Sequence, residues 1–310
     1  MSVFENMLKR GHEQVSYFID PHSGLRGIVA IHNTTLGPAL GGCRMWNYKT
    51  ENDALIDVLR LSKGMTYKAA IAGLNLGGGK AVIIGNSKKD KSETLFRSFG
   101  KFVEGLGGRY ITAEDVGTTV KDMEFVRMET NFVTGISRAL GGSGDPSIVT
   151  AYGVYIGMKS SVKYKLNQNS LSGLKVAVQG LGQVGMHLID FLSKDDVELY
   201  VTDIDRESVD IAVKKYNAKP VELEDIYSLD VDVFAPCALG AILNDYTIPM
   251  LKCSIIAGAS NNQLEKSDKH GRDIMSKGIL FAPDYAINAG GLINVSNELE
   301  GYNRERAFNQ

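Results

Sequence analysis

The chain has 310 residues, of which 44% are hydrophobic and 23% are charged, and its formal net charge is −2. This composition provides enough apolar material for two domain cores. The sequence contains no basic block that would bind nucleic acid or an anionic membrane. No apolar run approaches the roughly 20 residues of a membrane span, and the mixed, polar N-terminus is not typical of a signal peptide. Three widely separated cysteines indicate free thiols and a reducing cytoplasm, and five histidines without metal-ligand spacing predict no metal site.

The first third of the chain mixes strand-like and helix-like segments. The segments EQVSYFID and GLRGIVAIHN flank residues 20–24, which read as a hairpin turn. Thr50 is a candidate N-cap for a helix whose apolar residues recur at helical spacing. A buried strand is predicted at 81–84, then an amphipathic helix in KSETLFRSFGKFVEGL and a further strand in RYIT.

Three glycines stand directly before Lys80 in GLNLGGGKAVI. A phosphate loop of the form G-x-x-x-x-G-K-[ST] would need a glycine at position 74 and a hydroxyl at position 81, which are Leu74 and Ala81. The glycines are also predicted as a loop before a strand, whereas a phosphate loop opens a helix. These mismatches exclude an NTPase loop.

Lys80 and Lys68 both lie among small and apolar residues. Poor solvation and a second ammonium nearby would favour the neutral form of one lysine, which could then carry a proton or activate water. The companion that stays charged could hold a carboxylate. The alternative for each lysine is an ordinary surface position.

Asp115 follows a predicted strand in ITAEDVGTT, where cleft residues often lie. Its alternative is a helix cap for TTVKDMEF. The segment SRALGGSGDP then concentrates Gly, Ser and Pro, and it is the best linker or hinge in the chain.

After this linker the pattern becomes a regular alternation of strands and helices, which predicts a parallel sheet with helices on both faces. VAVQGLGQVG contains Gly180, Gly182 and Gly185 as G-x-G-x-x-G between a strand and a helix, and the next strand ends at Asp203. This context indicates a dinucleotide site in which Asp203 accepts from the ribose hydroxyls and favours NAD over NADP. The alternative is a glycine turn without a ligand.

The predicted fold class is therefore α/β with two domains, an α/β substrate domain and a Rossmann-type doubly wound dinucleotide-binding domain, with a cleft between them. We expect a substrate, catalytic and oligomerisation domain at 1–135, a hinge at 136–150, an NAD-binding domain at 151–285 and a return segment at 286–310.

Seven segments along the chain carry a family resemblance. They are TTLGPALGGCRMW, LSKGMTYKAAIAGLNLGGGKAVIIG, GRYITAEDVGTT, VAVQGLGQVG, APCALG, AGASNNQLE and APDYAINAGGLINV. Together they resemble the amino-acid dehydrogenases that act on glutamate, leucine, phenylalanine and valine, with leucine dehydrogenases nearest. The resemblance covers essentially the whole chain, although family members usually continue several dozen residues further as a helical tail.

The resemblance implies roles by matching position. Lys68 would hold the substrate carboxylate, Lys80 would activate the water that adds to the imine carbon, and Asp115 would shuttle protons. Asn262 and Gly41 would contact the substrate. The residues that would contact the cofactor NAD are Thr150, Gly180, Gly182, Gln183, Val184, Gly185, Asp203, Ala235, Cys237 and Asn261.

The implied reaction is oxidative deamination of an L-amino acid to a 2-oxo acid with NAD⁺ and water. Glutamate-specific members place a lysine before the glycine pair and a serine after NAGG, where this chain has Leu40 and Val295. These apolar residues, with Met65 and Leu292, would form a pocket for leucine, valine or isoleucine. The alternative for Met65 and Leu292 is a plain core position.

Two other functions stay open from the sequence. One is the same reaction on phenylalanine or tryptophan, and the other is a non-catalytic NAD-binding protein, against which the presence of Lys68, Lys80 and Asp115 counts. The expected partners are a small amino acid, its 2-oxo acid and ammonium, with assembly as a homo-oligomer and with no nucleic-acid or membrane partner.

Overall fold

The computed structural model describes residues 2–238 and 240–310, which divide into two units. The first unit comprises the residues up to Pro146 together with Leu292–Gln310, and the second comprises Ser147–Gly291. The chain thus leaves the first unit, builds the second and returns to the first. Within the described part of the chain, no helix has both the length and the apolar character that a membrane crossing requires.

The first unit is a mixed six-stranded sheet with helices. Its elements up to the linker are α1 (Val3–Arg10), β1 (Gln14–Asp20), β2 (Leu25–Asn33), β3 (Ala39–Leu40), β4 (Cys43–Trp46), α2 (Glu51–Ile71), β5 (Gly77–Ile84), α3 (Glu93–Gly105), β6 (Tyr110–Ile111) and α4 (Val120–Arg127). The strand order is β1-β2-β5-β3-β6, and β4 also pairs with β5. The predicted hairpin turn is confirmed, because β1 and β2 are antiparallel with Asp20 opposite Leu25.

Alternation along the central strands places apolar side chains on both faces of this sheet. Ile28 and Val82 face α2, whereas Val29 and Ile83 belong to a core with α3 and α4. Thr50 caps α2 as predicted, since its side chain accepts the Asp53 N–H at 3.1 Å.

The three glycines before Lys80 correct one prediction, since they are not a loop but the first residues of β5. Each lacks a Cβ because a neighbour occupies that space. A Cβ would lie 2.0 Å from the Asn33 carbonyl oxygen at Gly77, 2.2 Å from the Thr66 nitrogen at Gly78, and 2.7 Å from the Tyr110 ring at Gly79. The glycines let a strand, a helix and an aromatic ring all pack closely on β5.

The second unit alternates strands and helices. Its elements are α5 (Ser147–Leu166), β7 (Lys175–Gln179), α6 (Gln183–Leu192), β8 (Glu198–Thr202), α7 (Arg206–Tyr216), β9 (Lys219–Pro220), β10 (Val233–Pro236), α8 (Thr247–Met250), β11 (Ile255–Ile256), α9 (Ser267–Ser276), β12 (Leu280–Phe281) and α10 (Asp284–Ile287). All its strands pair in parallel in the order β12-β11-β10-β7-β8-β9.

Numbered within the unit, this order is 3-2-1-4-5-6 from β9 to β12, which is the usual order of a Rossmann sheet. Val176 and Val233 point into a core with α5, α6 and α7, and Ala177 and Phe234 point into a second core with α8 and α9. Both faces are therefore covered, and the predicted fold class, with an α/β first domain and a doubly wound second domain, is confirmed.

The chain ends with α11 (Gly290–Ser296), whose residues from Leu292 onward belong to the first unit, and with α12 (Arg304–Asn309). In this returning segment, Glu298 accepts the backbone N–H groups of Gly135 at 3.0 Å and of Ser143 at 2.8 Å. The segment thereby fixes the linker region that precedes the second unit.

Candidate active site

Lys80 and Asp115 form a buried ion pair in the first unit. Lys80 Nζ lies 2.9 Å from Asp115 Oδ1, and only 6% of the lysine side chain and 16% of the aspartate side chain are exposed. On the other carboxylate oxygen, Arg44 Nε donates to Asp115 Oδ2 at 3.0 Å. The structure therefore brings two of the sequence-predicted residues into direct contact and adds an arginine that sequence reasoning missed.

This charge arrangement governs the ionisation of Asp115. Burial alone would raise the pKa of its carboxyl, but the Lys80 ammonium and the Arg44 guanidinium lower it to about 2. Lys80 has this carboxylate as its direct partner at 2.9 Å, and the second ammonium expected near it stays a prediction.

Asp115 is not a helix cap. The cap of α4 is Thr119, whose side chain accepts the Asp122 N–H, while the Asp122 carboxylate accepts the Thr119 N–H at 2.9 Å. The backbone N–H of Asp115 instead donates to Thr118 Oγ1 at 2.9 Å. The side chain of Asp115 is thus left to the two cations.

Arg44 is held from its other side by a second carboxylate. Its Nη1 donates to Asp57 Oδ2 at 2.9 Å, and the Tyr48 hydroxyl donates to the same oxygen at 2.6 Å. Burial and the Asp57 hydrogen bond both raise the pKa of Tyr48. A row of alternating charges therefore runs from Lys80 through Asp115 and Arg44 to Asp57.

The glycine pair Gly41 and Gly42, which directly precedes β4, allows neighbouring backbone segments to approach closely. A Cβ at Gly41 would lie 1.8 Å from the Gly79 carbonyl oxygen, and one at Gly42 would lie 2.9 Å from the Asp115 Cβ. The Tyr110 hydroxyl donates to the Gly41 carbonyl at 2.5 Å. Gly41 is therefore packed against β5 and Tyr110, and Gly42 against the loop that carries Asp115.

Lys68 lies in the last turn of α2 and is half-buried. The close contact of Gly78 with Thr66 presses this part of α2 onto β5, the strand that carries Lys80. Met65, on the same stretch of α2, has its Cγ 3.3 Å from where a Cβ of Gly41 would be.

The four residues predicted to line a side-chain pocket share one apolar cluster of the first unit. Leu40, Leu292 and Val295 are each at most 6% exposed, and Met65 packs against them. Leu40 pairs in register with Gly78 of β5 and with Ile111 of β6, which places it two residues before Gly42 and the Asp115 contact. An apolar surface therefore lies next to the buried ion pair.

Glu114 is a second acidic group that the sequence reasoning did not single out. Burial, followed by the charges of Asp145 and Glu298, raises the pKa of its carboxyl to about 7. Its neighbour Asp115 is ionised far below that pH, so the two adjacent carboxyls differ widely in proton affinity.

In the second unit, the predicted dinucleotide fingerprint lies at the carboxyl end of β7, beside β10, where the strand order reverses. Gly180 has φ +99°, and a Cβ there would lie 2.6 Å from the Ala238 nitrogen. A Cβ at Gly185 would lie 2.0 Å from the Gly180 carbonyl oxygen. These two glycines are required by close packing, as expected for a tight turn between strand and helix.

Gly182 differs because a Cβ there would meet no atom of the described residues within 4 Å. Gly182 and Gln183 are exposed, Val184 is half-buried, and the N-terminus of α6 has no side-chain cap. The open space and uncapped N–H groups fit a pyrophosphate. Asp203, which directly follows β8, accepts the Leu181 N–H at 2.5 Å and so touches the glycine turn directly.

The remaining predicted cofactor residues also lie in the second unit. Ala235 is buried in β10, and Cys237, half-buried just after it, donates its N–H to the Gln179 carbonyl at 2.7 Å. Thr150 lies in the first turn of α5, against Gly290. Asn261 and Asn262 are exposed, and Asn262 has φ +52°.

Asn288 is a further polar residue beside this loop that the sequence reasoning did not select. Its amide nitrogen donates to Ala259 O and to Asn261 Oδ1, each at 2.8 Å. Its buried Oδ1 has no hydrogen-bond partner among the residues that the structure describes. Buried, unsatisfied amide groups are uncommon and fit a ligand that completes them.

Two other features do not form part of this site. Asp245, Glu265 and His270 lie within 4.8 Å of one another, but the ring Nδ1 of His270 accepts the Lys266 N–H at 3.0 Å and Asp245 is already paired with lysines.

A cavity of about 570 Å³ in the first unit is lined by residues 73–76 and by the returning segment, and none of the predicted site residues lines it.

Comparison with known proteins gives matches over nearly the whole chain. The model of the Glu/Leu/Phe/Val dehydrogenase dimerisation domain matches residues 12–132, and that of glutamate/leucine/phenylalanine/valine dehydrogenase matches residues 141–209 and 196–308. The chain is 58% identical to a leucine dehydrogenase of Geobacillus stearothermophilus and 57% identical to one of Bacillus cereus. Each alignment covers 99% of this chain and 84% of the relative.

Among solved structures, the chain is similar to L-tryptophan dehydrogenase from Nostoc punctiforme, with a TM-score of 0.84 at 48% identity over 99% of this chain and 88% of that one.

Proposed function

We propose that this chain, which belongs to the glutamate/leucine/phenylalanine/valine dehydrogenase family, catalyses the reversible, NAD-dependent oxidative deamination of branched-chain L-amino acids. An L-amino acid, NAD⁺ and water would give a 2-oxo acid, NADH, ammonium and one proton. The observation that supports it most directly is the buried Lys80–Asp115 pair next to an apolar cluster.

The second unit would hold the dinucleotide through the uncapped N-terminus of α6 and through Asp203. When bound, NAD⁺ would accept the hydride that leaves the α-carbon. The Asp203 carboxylate favours free ribose hydroxyls over a 2′-phosphate. Arg206, close by in sequence, pairs with Glu222 at 3.2 Å, which satisfies its charge and leaves that preference in place.

The first unit would supply the substrate contacts and the acid–base groups. Lys68 would hold the α-carboxylate, and Asp115 would take protons from the amine and return them. Lys80 would orient and activate the water that attacks the imine carbon. The ion pair of Lys80 and Asp115 gives the two groups the direct contact that proton transfer between them needs.

The apolar cluster supports an aliphatic side chain. A glutamate carboxylate placed against Leu40 and Val295 would be buried without a cation, which is costly. Aliphatic substrates differ by single methylene groups, each worth only about 1–3 kcal/mol, so leucine, valine and isoleucine should overlap. The 57–58% identity to leucine dehydrogenases supports the same choice.

An aromatic substrate is the second candidate, because the chain also resembles the L-tryptophan dehydrogenase of Nostoc punctiforme over nearly its full length.

We also propose that the protein is a homo-oligomer, in keeping with the family model described as a dimerisation domain. We further propose that it works in a reducing cytoplasm, in keeping with its three free cysteines. Light scattering after size-exclusion chromatography would test the assembly.

The deciding experiment follows NADH formation at alkaline pH with leucine, valine, isoleucine, phenylalanine, tryptophan and glutamate, each with NAD⁺ and NADP⁺. Higher kcat/KM for the aliphatic substrates with NAD⁺ would support the proposal. A preference for phenylalanine or tryptophan would favour the second candidate. Dinucleotide binding without turnover on any amino acid would overturn both.

A further inference from the structure

We propose that Arg44 is a positioning residue for Asp115. Its guanidinium holds the Asp115 carboxylate in one orientation, while Asp57 and Tyr48 hold the guanidinium from the other side. The inference rests on the proposed function in one respect, namely that Asp115 is the proton carrier.

The backbone fixes Arg44 opposite Asp115. On either side of Arg44 in β4, the Cys43 N–H donates to the Ala113 carbonyl at 2.8 Å and the Met45 N–H donates to the Val116 carbonyl at 3.0 Å. Thr118 Oγ1 donates to the Cys43 carbonyl at 2.8 Å and so closes the loop that carries Asp115. Residues 43–45 are thereby held against residues 113–116.

The two cations divide the carboxylate between them. Lys80 takes Oδ1 and Arg44 takes Oδ2. A reaction in which Lys80 exchanges protons with water disturbs the first contact in each cycle. Arginine stays protonated at any relevant pH, so the second contact persists throughout.

The shape of the guanidinium matters as well as its charge. Nε and Nη1 reach two different carboxylates at 3.0 and 2.9 Å, a fork that a lysine ammonium cannot reproduce with fixed geometry. Asp57 is in turn fixed by the 2.6 Å hydrogen bond from Tyr48. Arg44 is therefore held at both ends, as a residue that orients a neighbour must be.

The surroundings of Asp115 determine what its titration would report. The titratable and charged groups that act on it are Lys80 on β5, Arg44 and Cys43 on β4, Tyr48 just after β4, Tyr110 on β6 and Glu114 beside it on its own loop. Asp57 on α2 faces it through Arg44. Of these, Lys80 and Arg44 are the cations in direct contact. Loss of Arg44 would leave one cation for two carboxylates.

The first test compares Arg44→Gln and Arg44→Lys with Asp115→Asn and with the double variant Arg44→Gln/Asp115→Asn. Arg97→Gln is a matched control, since Arg97 also bridges two carboxylates, Glu93 and Glu129, but at the surface. Thermal unfolding of each variant shows whether it folds.

For Arg44→Gln we expect the acid limb of the kcat/KM profile to move up by about 1–3 pH units, since an adjacent opposite charge lowers a carboxyl pKa by about that much. Below the pH of the shifted acid limb, kcat/KM should fall about tenfold per pH unit, mainly through kcat. Arg44→Lys should keep the limb near its original place but lower kcat. In the Asp115→Asn background, Arg44→Gln should add little.

A readout without turnover separates this inference from the proposed function. The carboxyl carbon of Asp115 can be titrated by NMR in the ligand-free protein, assigned by its loss in Asp115→Asn. An upward shift in Arg44→Gln and none in Arg97→Gln would support the inference even in a protein without amino-acid turnover. An unmoved titration, or rate losses that simply multiply in the double variant, would overturn it.

Discussion

Replacement of Lys80 by methionine tests the acid–base role most sharply, because methionine keeps the unbranched stem and removes only the ammonium. Lys80 Nζ lies 2.9 Å from Asp115 Oδ1 and the side chain is only 6% exposed, so water does not readily take its place. Loss of a positioned proton-transfer group slows a reaction by about 10²–10⁴-fold. This corresponds to about 3–5 kcal/mol on the barrier.

The same change has a cost in stability that can be estimated separately. Removing one partner of a buried ion pair costs about 3–5 kcal/mol. Because Arg44 still pairs with Asp115, we expect the lower end of this range, and the pKa of Asp115 should rise. Folding must therefore be checked by urea unfolding before rates are compared.

The assay measures kcat with the best amino-acid substrate and, independently, NADH binding by its fluorescence. Lys101→Met, at an exposed position of the same unit, is the matched control. We expect turnover to collapse in Lys80→Met while NADH binding stays within a few-fold of the unaltered protein. Turnover close to that of Lys101→Met in a folded Lys80→Met protein would refute the role given to Lys80.

Three further predictions concern the pocket, the cofactor and the N-terminal region. Leu40→Lys buries an unpaired cation in the apolar cluster, so kcat/KM for leucine should fall by at least about 100-fold while NADH binding is kept. Unchanged leucine kinetics would show that Leu40 does not line the pocket. Asp203→Ser removes the carboxylate that opposes a 2′-phosphate, so the ratio of NADP⁺ to NAD⁺ activity should rise, and an unchanged ratio would refute its role. Burial lowers the pKa of His12 to about 4 from its ordinary 6.5. Between these two pH values the unfolded state therefore binds more protons than the folded state. The free energy of unfolding should fall by up to about 3 kcal/mol as the pH drops from 6.5 to about 4. His12→Gln should remove this part of the slope in urea unfolding, and an identical slope would show that His12 is not its source.

The features predicted correctly from sequence are those that local patterns determine. Thr50 caps α2 because a hydroxyl followed three residues later by an acid is complete within one turn. The Rossmann unit was recognisable because strand, glycine turn, helix and Asp203 follow one another within a short stretch. Each of these signals depends on neighbours along the chain.

The features that were missed or misread depend on contacts across the fold. Glycines favour loops, so the local pattern predicts a loop at Gly77. In the fold, the absence of a Cβ at Gly77 leaves room for the backbone of Asn33 on the neighbouring strand. Arg44 precedes Asp57 by 13 residues and Asp115 by 71 residues, and it contacts both carboxylates because β4 lies between α2 and the Asp115 loop. Nothing in the local pattern distinguishes such an arginine from one on the surface.

The balance of charge around the buried pair argues for the class of substrate. Lys80, Asp115, Arg44 and Asp57 alternate in sign, so the row is neutral as a whole, and each buried charge has a partner at 3.0 Å or less. An amino acid with an aliphatic side chain enters as a zwitterion and adds no net charge to this arrangement. Glutamate would add one negative charge against Leu40 and Val295, where the cluster offers it only apolar contacts. The balance of charge in this largely buried row therefore favours a substrate whose side chain is apolar.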